Sequence, residues 1–260
     1  MKSKKTTMKK TPQADGKKSS TPCRNCPLRK NPHFRAFTAE ELAFMETFKS
    51  GELSVEPGTT ILLEGTNSAH LFTVLSGWAF RYKTLEDGRR QILNFTLPGD
   101  LVGLQGSVFD KIQHSVEALT ATVLCVFPRE KLWSLFQNHP GLGFDMTWLS
   151  SREETMLDEN LLSVGQRRAD ERVAYMLLNL YWRVQQTTPG HRKKVVFPFT
   201  QQHLADALGF SIVHINKTLK RLRATGAFEW TGAQFELKDE DKMLELAGSP
   251  NLPSGLRPLL

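Results

Sequence analysis

The chain has 260 residues, 40% of them hydrophobic, with 34 Lys and Arg against 27 Asp and Glu for a formal net charge of +7. That length accommodates one large domain or two modest ones, and the composition excludes bulk disorder. No run approaches the ~18 uninterrupted apolar residues of a membrane span, and charges stand where a secretory signal needs its apolar core, so a soluble, unexported protein without a membrane partner is expected.

The charge is concentrated at one end. Residues 1–22 hold seven lysines against one acid, Asp15, in a Lys/Thr/Ser/Pro context too poor in apolar side chains to offset the entropy of ordering. A disordered basic tail is expected there, and such tails either touch phosphates or merely solubilise. The three cysteines, Cys23, Cys26 and Cys125, are odd in number in a long chain and suit a reducing cytoplasm better than a disulfide framework.

After Cys23-Arg24-Asn25-Cys26-Pro27, the spacing predicts a short helix from Thr38 to about Lys49. Thr38 and Glu41 have capping-box spacing, and Leu42, Met45 and Phe48 form one apolar face. From Gly51 to Phe127 the pattern changes to β-rich runs, among them Thr59–Leu63, Leu71–Leu75, Trp78–Thr84 and Val116–Phe127. Pro57-Gly58, Glu64-Gly65, Ser76-Gly77, Asp87-Gly88 and Pro98-Gly99-Asp100 punctuate them, which implies an antiparallel sandwich or barrel. Helical periodicity returns at Arg129, with a short piece ending near His139-Pro140. A long helix follows from about Leu142 to Leu162, with Phe144, Trp148, Met156 and Leu161 as apolar positions, and another from about Gln166 to Val184. Periodicity leaves open whether these helices pack within their own domain or on a second subunit. The polar stretch Gln185–Val196 then suggests a domain boundary at or slightly before it.

The most informative segment runs from Phe199 to Leu222. Thr200 caps a first helix with Leu204, Ala207 and Leu208 inward, small Ala205 admits a second helix, and Gly209 supplies the turn. Ser211 caps that second helix, with Ile212, Ile215, Leu219 and Leu222 inward and Val213, His214, Asn216, Lys217, Lys220 and Arg221 outward. A rigid corner presenting such a face is what reading a DNA major groove requires. The continuation through Phe228-Glu229-Trp230 and Ala233–Leu237 reads as a two-stranded wing.

These pieces in this order resemble the Crp/Fnr superfamily of transcription regulators, over about Cys23 to Leu237. The carrying motifs are Gly58…Glu64-Gly65, Leu75-Ser76-Gly77, Leu97-Pro98-Gly99-Asp100-Leu101-Val102-Gly103, Thr200-Gln201-Gln202-His203-Leu204-Ala205 and Gly209-Phe210-Ser211. The resemblance implies an α+β chain: a cyclic-nucleotide-binding-type jelly-roll sensor domain at 23–140, a dimerisation helix and connector at 141–184 and a winged helix-turn-helix at 185–247. The Gly/Ser/Pro-rich stretch after it, 248–260, is read from its composition as a flexible tail. It further implies a homodimer on a palindromic site in double-stranded DNA, with RNA polymerase as a partner. Base-reading positions fall on Val213, Asn216 and Lys217, and backbone-contacting ones on Thr200, Gln201 and Gln202. Val213 and Lys217 depart from the glutamate and arginine of many members, so the operator should differ from the common consensus.

The signal is less legible. Cyclic AMP binding in this family uses an acid and an Arg-Ser pair where this chain has Leu104 and His114-Ser115, so the carboxylate for ribose and the guanidinium for phosphate are both missing. The cysteines stand near the iron-sulfur ligand positions of oxygen-sensing Fnr-type members, but where a third amino-terminal cysteine belongs the chain has Pro32 and Phe34. A three-thiolate cluster, a zinc site using His33, a thiol switch between Cys23 and Cys26, and no cysteine chemistry at all remain open. An effector-independent binder, or one sensing a small ligand in the jelly roll, is the competing reading. No hydrolase elbow, zincin, phosphate-loop or dinucleotide motif occurs, and Glu153-Glu154 and Asp158-Glu159 are explained as a solvated helix face, so no enzyme is expected.

Overall fold

The computed structural model describes residues 20–187, 192–248 and 256–260. The expected basic tail therefore lies, apart from its last residues, outside the described part. Helix α1 (Ala39–Phe48) begins with the predicted box: Glu41 N donates to Thr38 Oγ1 at 3.1 Å and Thr38 N donates to Glu41 Oε2 at 2.9 Å. Strands β1 (Gly51–Val55), β2 (Thr60–Leu62), β3 (His70–Ser76), β4 (Ala79–Thr84), β5 (Arg90–Thr96) and β6 (Leu101–Val102) follow. Then come helix α2 (Leu104–Phe109), β7 (Ser115–Ala118) and β8 (Thr122–Pro128).

These strands form two antiparallel four-stranded sheets, ordered β1-β8-β3-β6 and β2-β7-β4-β5, the two faces of the jelly roll. Val116–Phe127 reads as one run but divides between the sheets, because Leu119–Ala121 wraps the β3–β4 corner. There Leu119 N donates to Trp78 O at 2.8 Å and Trp78 N to Thr120 Oγ1 at 2.9 Å. Gly77 makes that corner possible: at φ +87° a Cβ would lie 2.4 Å from the Ala121 carbonyl oxygen.

Helices α3 (Leu132–Asn138), α4 (Pro140–Gly165) and α5 (Ala169–Thr187) lead into β9 (Lys194–Val196), α6 (Gln201–Leu208), α7 (Ile212–Ala224), β10 (Phe228–Thr231), β11 (Gln234–Leu237) and α8 (Glu240–Leu246). Along α4 the buried side is Leu142, Met146 and Leu149, whereas Phe144 and Leu161 are 69% and 73% exposed. Helix α5 packs against α6, α7 and α8, with Val173, Leu177 and Tyr181 in one core with Leu204, Leu219 and Met243. The boundary expected at 185 therefore cuts through a packed unit, and the polar stretch beyond it leads into β9, which pairs with β11 inside that unit. This unit rests on the jelly roll: the Phe95 and Phe199 rings lie 4.9 Å apart, and Arg90 on β5 pairs with Asp206 on α6 at 2.8 Å.

The end of the chain departs from expectation. Instead of a flexible tail, Arg257, Leu259 and Leu260 are buried, and Arg257 bridges Phe34 in parallel, with Arg35 N donating to Arg257 O at 2.8 Å and Arg257 N to His33 O at 2.9 Å. The attraction lies in the jelly roll itself. Asp100, 2% exposed, accepts from Leu97 N at 2.7 Å, from Arg183 of α5 at 2.8 Å, from Arg152 of α4 at 3.2 Å and from Arg257. Burial alone would raise this carboxyl, but the guanidinium groups of Arg257, Arg183 and Arg152 outweigh it and hold it well below the usual carboxylate range.

Removing one partner of a buried ion pair strands the others, so Asp100→Asn should cost about 3–5 kcal/mol in urea denaturation at pH 7. The depressed carboxyl contributes its stability above the unfolded-state pKa and loses it as pH falls toward the folded value. The difference between wild type and Asp100→Asn should therefore shrink by about 1 kcal/mol between pH 7 and pH 3.

Candidate nucleic-acid interface

The helix-turn-helix forms as its local chemistry dictates. His203 N donates to Thr200 Oγ1 at 3.4 Å and Thr200 N donates to His203 Nδ1 at 3.1 Å, which caps α6 from both directions. Gly209 adopts φ +69° at the carboxy-terminal cap, and its N–H donates to Ala205 O. Ala205 is 2% exposed where α7 crosses, and His214 N donates to Ser211 Oγ at 3.2 Å to start α7.

On α7 the buried residues are Ile215, Thr218, Leu219 and Leu222. Ile212, expected inward, is 43% exposed, and Thr218 takes the fourth buried place on the helix. Val213, His214, Asn216, Lys217 and Lys220 are exposed together. Helix α7 contains four Lys and Arg residues and no acid. Arg221 is a qualified member of the set: its guanidinium pairs with Asp170 of α5 at 2.7 Å and donates to Thr218 Oγ1 at 3.3 Å. Sequence spacing could not reveal this pairing, since Asp170 lies 51 residues away. Gln202 is exposed and donates to Asp206 Oδ1 at 2.7 Å, Thr200 is exposed, and Gln201 is half-buried. Beside α7 the wing is a tight hairpin with Thr231 opposite Gln234, joined by β9 on its other edge.

The jelly roll keeps a cavity of about 490 Å³ against α4, lined by Arg81, Gly103, Leu104, His114, Arg152 and Glu153 among others. It is poorly suited to a phosphate. Burial, with Arg81 and Lys83 nearby, pushes His114 down to about 3, so the ring is neutral. Arg81 is already paired with Glu153, and Ser115 Oγ accepts from Glu64 N at 3.1 Å. Glu153 is thus not on a solvated face. The residues do not fit cyclic AMP.

The three cysteines do come together. Cys23, in the turn Cys23–Asn25, half-buried Cys26, and Cys125 on β8 line one cavity of about 20 Å³. Burial raises Cys23 and takes Cys125 up to about 11, with Lys49 opposing it in both cases. His33 does not line this cavity. Among the described residues no three His, Cys, Asp or Glu side chains stand in a metal-holding arrangement. A space for about one water molecule, lined also by Leu259 and Leu260, with the thiols of Cys23 and Cys125 raised by burial, does not fit an iron-sulfur cluster or zinc.

Two family models match the chain, the cyclic nucleotide-binding domain over residues 52–139 and the Crp-like helix-turn-helix domain over 171–246. The chain is 29% identical over 228 residues to the nitrogen fixation regulation protein FixK of Bradyrhizobium diazoefficiens, covering 87% of this chain and 94% of that one. It is 30% identical over 167 residues to the transcriptional activatory protein AadR of Rhodopseudomonas palustris, covering 64% and 68%. The solved structure of FixK2 from Bradyrhizobium japonicum superposes with a TM-score of 0.68 at 25% identity, over 75% of this chain and 96% of that one. With the two-sheet jelly roll, the long helix and the winged helix-turn-helix in the same order, the chain belongs to the Crp/Fnr family of DNA-binding transcription regulators.

Proposed function

We propose that the protein acts as a homodimer in the cytoplasm, inserts α7 of each subunit into successive major grooves of a palindromic operator, and works through RNA polymerase. The observation that carries this reading is the acid-free outer face of α7, where Val213, Asn216, Lys217 and Lys220 are exposed side by side. Asn216 suits an adenine edge, Lys217 a guanine edge or a phosphate, and Val213 a thymine methyl group. Thr200, Gln201 and Gln202 stand at the start of α6, where they suit contacts to the DNA backbone, and Arg221 stiffens the α5–α7 junction through Asp170. Pairing of two subunits along α4 would cover Phe144 and Leu161. The free cysteines are consistent with a reducing compartment, and the RNA polymerase contact follows from relatives named as transcriptional activators.

Lys217→Ala should weaken specific operator binding by about 1–3 kcal/mol while reducing nonspecific binding far less, measured by fluorescence anisotropy at fixed salt. Equal losses on both duplexes would remove Lys217 from the base readers. Leu161→Glu should raise the dimer dissociation constant at least about tenfold in sedimentation velocity, since burying one such side chain contributes about 1.5–3 kcal/mol. An unchanged dimer would place the subunit contact off α4.

A further inference from the structure

The chain's last residues occupy an unexpected place. Leu259 and Leu260, 2% and 6% exposed, are packed in one cluster with Cys23, Met45, Phe48, Cys125 and Phe127. Two residues earlier, Arg257 adds itself as a backbone bridge to Phe34 and delivers its guanidinium to Asp100, which Arg183 of α5 also grips. The guanidinium carbon lies 5.4 Å from the centroid of the Phe34 ring. On the same edge, Asn31 Nδ2 donates to Gln186 O near the end of α5 at 2.9 Å. One short segment thus lines the cysteine cavity and shares a carboxylate with the DNA-binding unit.

The space beneath it decides what can coexist with it. A cavity of about 20 Å³ takes roughly one water molecule, so no soft metal ion with its ligands fits among Cys23, Cys26 and Cys125, and no adduct fits on buried Cys23 or Cys125, while both leucines are seated. We propose that Arg257–Leu260 is a latch over the cysteine pocket: a metal or electrophile bound by these thiols and the seated tail exclude one another. Whatever loads the cysteines expels Leu259 and Leu260 and loosens Arg257 from Asp100, which leaves Arg183 of α5 with a different electrostatic partner set. Binding at the thiols is thereby coupled to the DNA-binding unit, and the coupling is reciprocal. The exclusion does not depend on which operator the protein reads or on how it meets RNA polymerase.

Two experiments on the full chain and one variant test this. In the first, a chain ending at Leu256 and the full chain are treated with N-ethylmaleimide. Each thiolate sulfur adds to the maleimide double bond, the adjacent carbon takes a proton from water, and labelling at each cysteine is followed by mass spectrometry. Cys23 and Cys125 should react about tenfold faster or more without the latch, as expected when a locally closed state is opened, whereas half-buried Cys26 changes less. Equal rates at Cys23 and Cys125 overturn the proposal. The second reads the coupling backwards in the wild-type chain and needs no truncation, so misfolding of the variant cannot decide the matter. The backbone amides of Leu259 and Leu260 should exchange with deuterium about tenfold faster in protein alkylated at Cys23 and Cys125 than in unmodified protein, because a ligand that opens one site raises the open population at the other. Identical exchange rates, with far-UV circular dichroism unchanged by alkylation, would show that Arg257–Leu260 and the thiols do not compete.

Discussion

One buried carboxylate organises this molecule. Asp100 sits in the Pro98-Gly99-Asp100 turn between β5 and β6 and receives a guanidinium group from α4, from α5 and from the extreme carboxy terminus. A charge in that position is tolerable only with its partners in place, since each costs several kcal/mol to desolvate and regains it through good geometry. Three segments that share no continuous hydrophobic stripe are therefore forced to one point. The apolar contacts then fill in around it: Phe95 against Phe199, Trp78 against Phe197, and Leu259 beside Cys125. Gly99 belongs to the same arrangement, because a Cβ there would lie 2.7 Å from the Phe34 ring and strike it.

How far the sequence could be read depended on the range of the interactions involved. The cap of α1, the Thr200 cap of α6, the Gly209 turn and Ile215, Leu219 and Leu222 on the buried face of α7 are settled within four or five residues, and their residue types announce them, whereas the His203 half of the α6 box and the burial of Thr218 in place of Ile212 went unread. The wing follows from its strand pattern. The long helix was equally legible, and its predicted apolar positions Phe144 and Leu161 turned out to point away from the chain's own core. Contacts between distant segments left no such trace. Arg183 reads as an ordinary polar residue near the end of a helix, Arg257 as part of a Gly/Ser/Pro-rich tail, and Asp170 as a first-turn acid. Nothing in their spacing says that two of them meet Asp100 and the third meets Arg221. The break in Val116–Phe127 was hidden for the same reason, since the residue that turns it, Trp78, lies on the far side of a β corner.

Two cavities of the sensor domain, the one against α4 and the one among the cysteines, tell different stories about chemistry. The larger one keeps the place of a nucleotide pocket while its polar groups have been turned toward one another: Arg81 to Glu153, Ser115 to the Glu64 amide, and His114 held neutral. An anion entering there would meet no unengaged cation among these residues, so the ligand class that defines the domain's fold does not define its use here. The smaller one gathers three thiols that the sequence scatters over a hundred positions, yet buries two of them in the form least inclined to react. Reactivity at such a place is governed by access before it is governed by acidity.

The order in which the chain is made gives the carboxy-terminal docking a further meaning. A jelly roll near the amino terminus emerges from the ribosome early and can collapse while synthesis continues. In this protein that domain at first lacks two of the guanidinium groups for Asp100, those of Arg183 and Arg257, together with Leu259 and Leu260, which line its cysteine pocket. The jelly roll is thus completed by a residue 157 positions further along the chain than the carboxylate it serves. Its thiols consequently pass through a period, ending only once Arg257–Leu260 has emerged and docked, in which they are more open than in the folded chain.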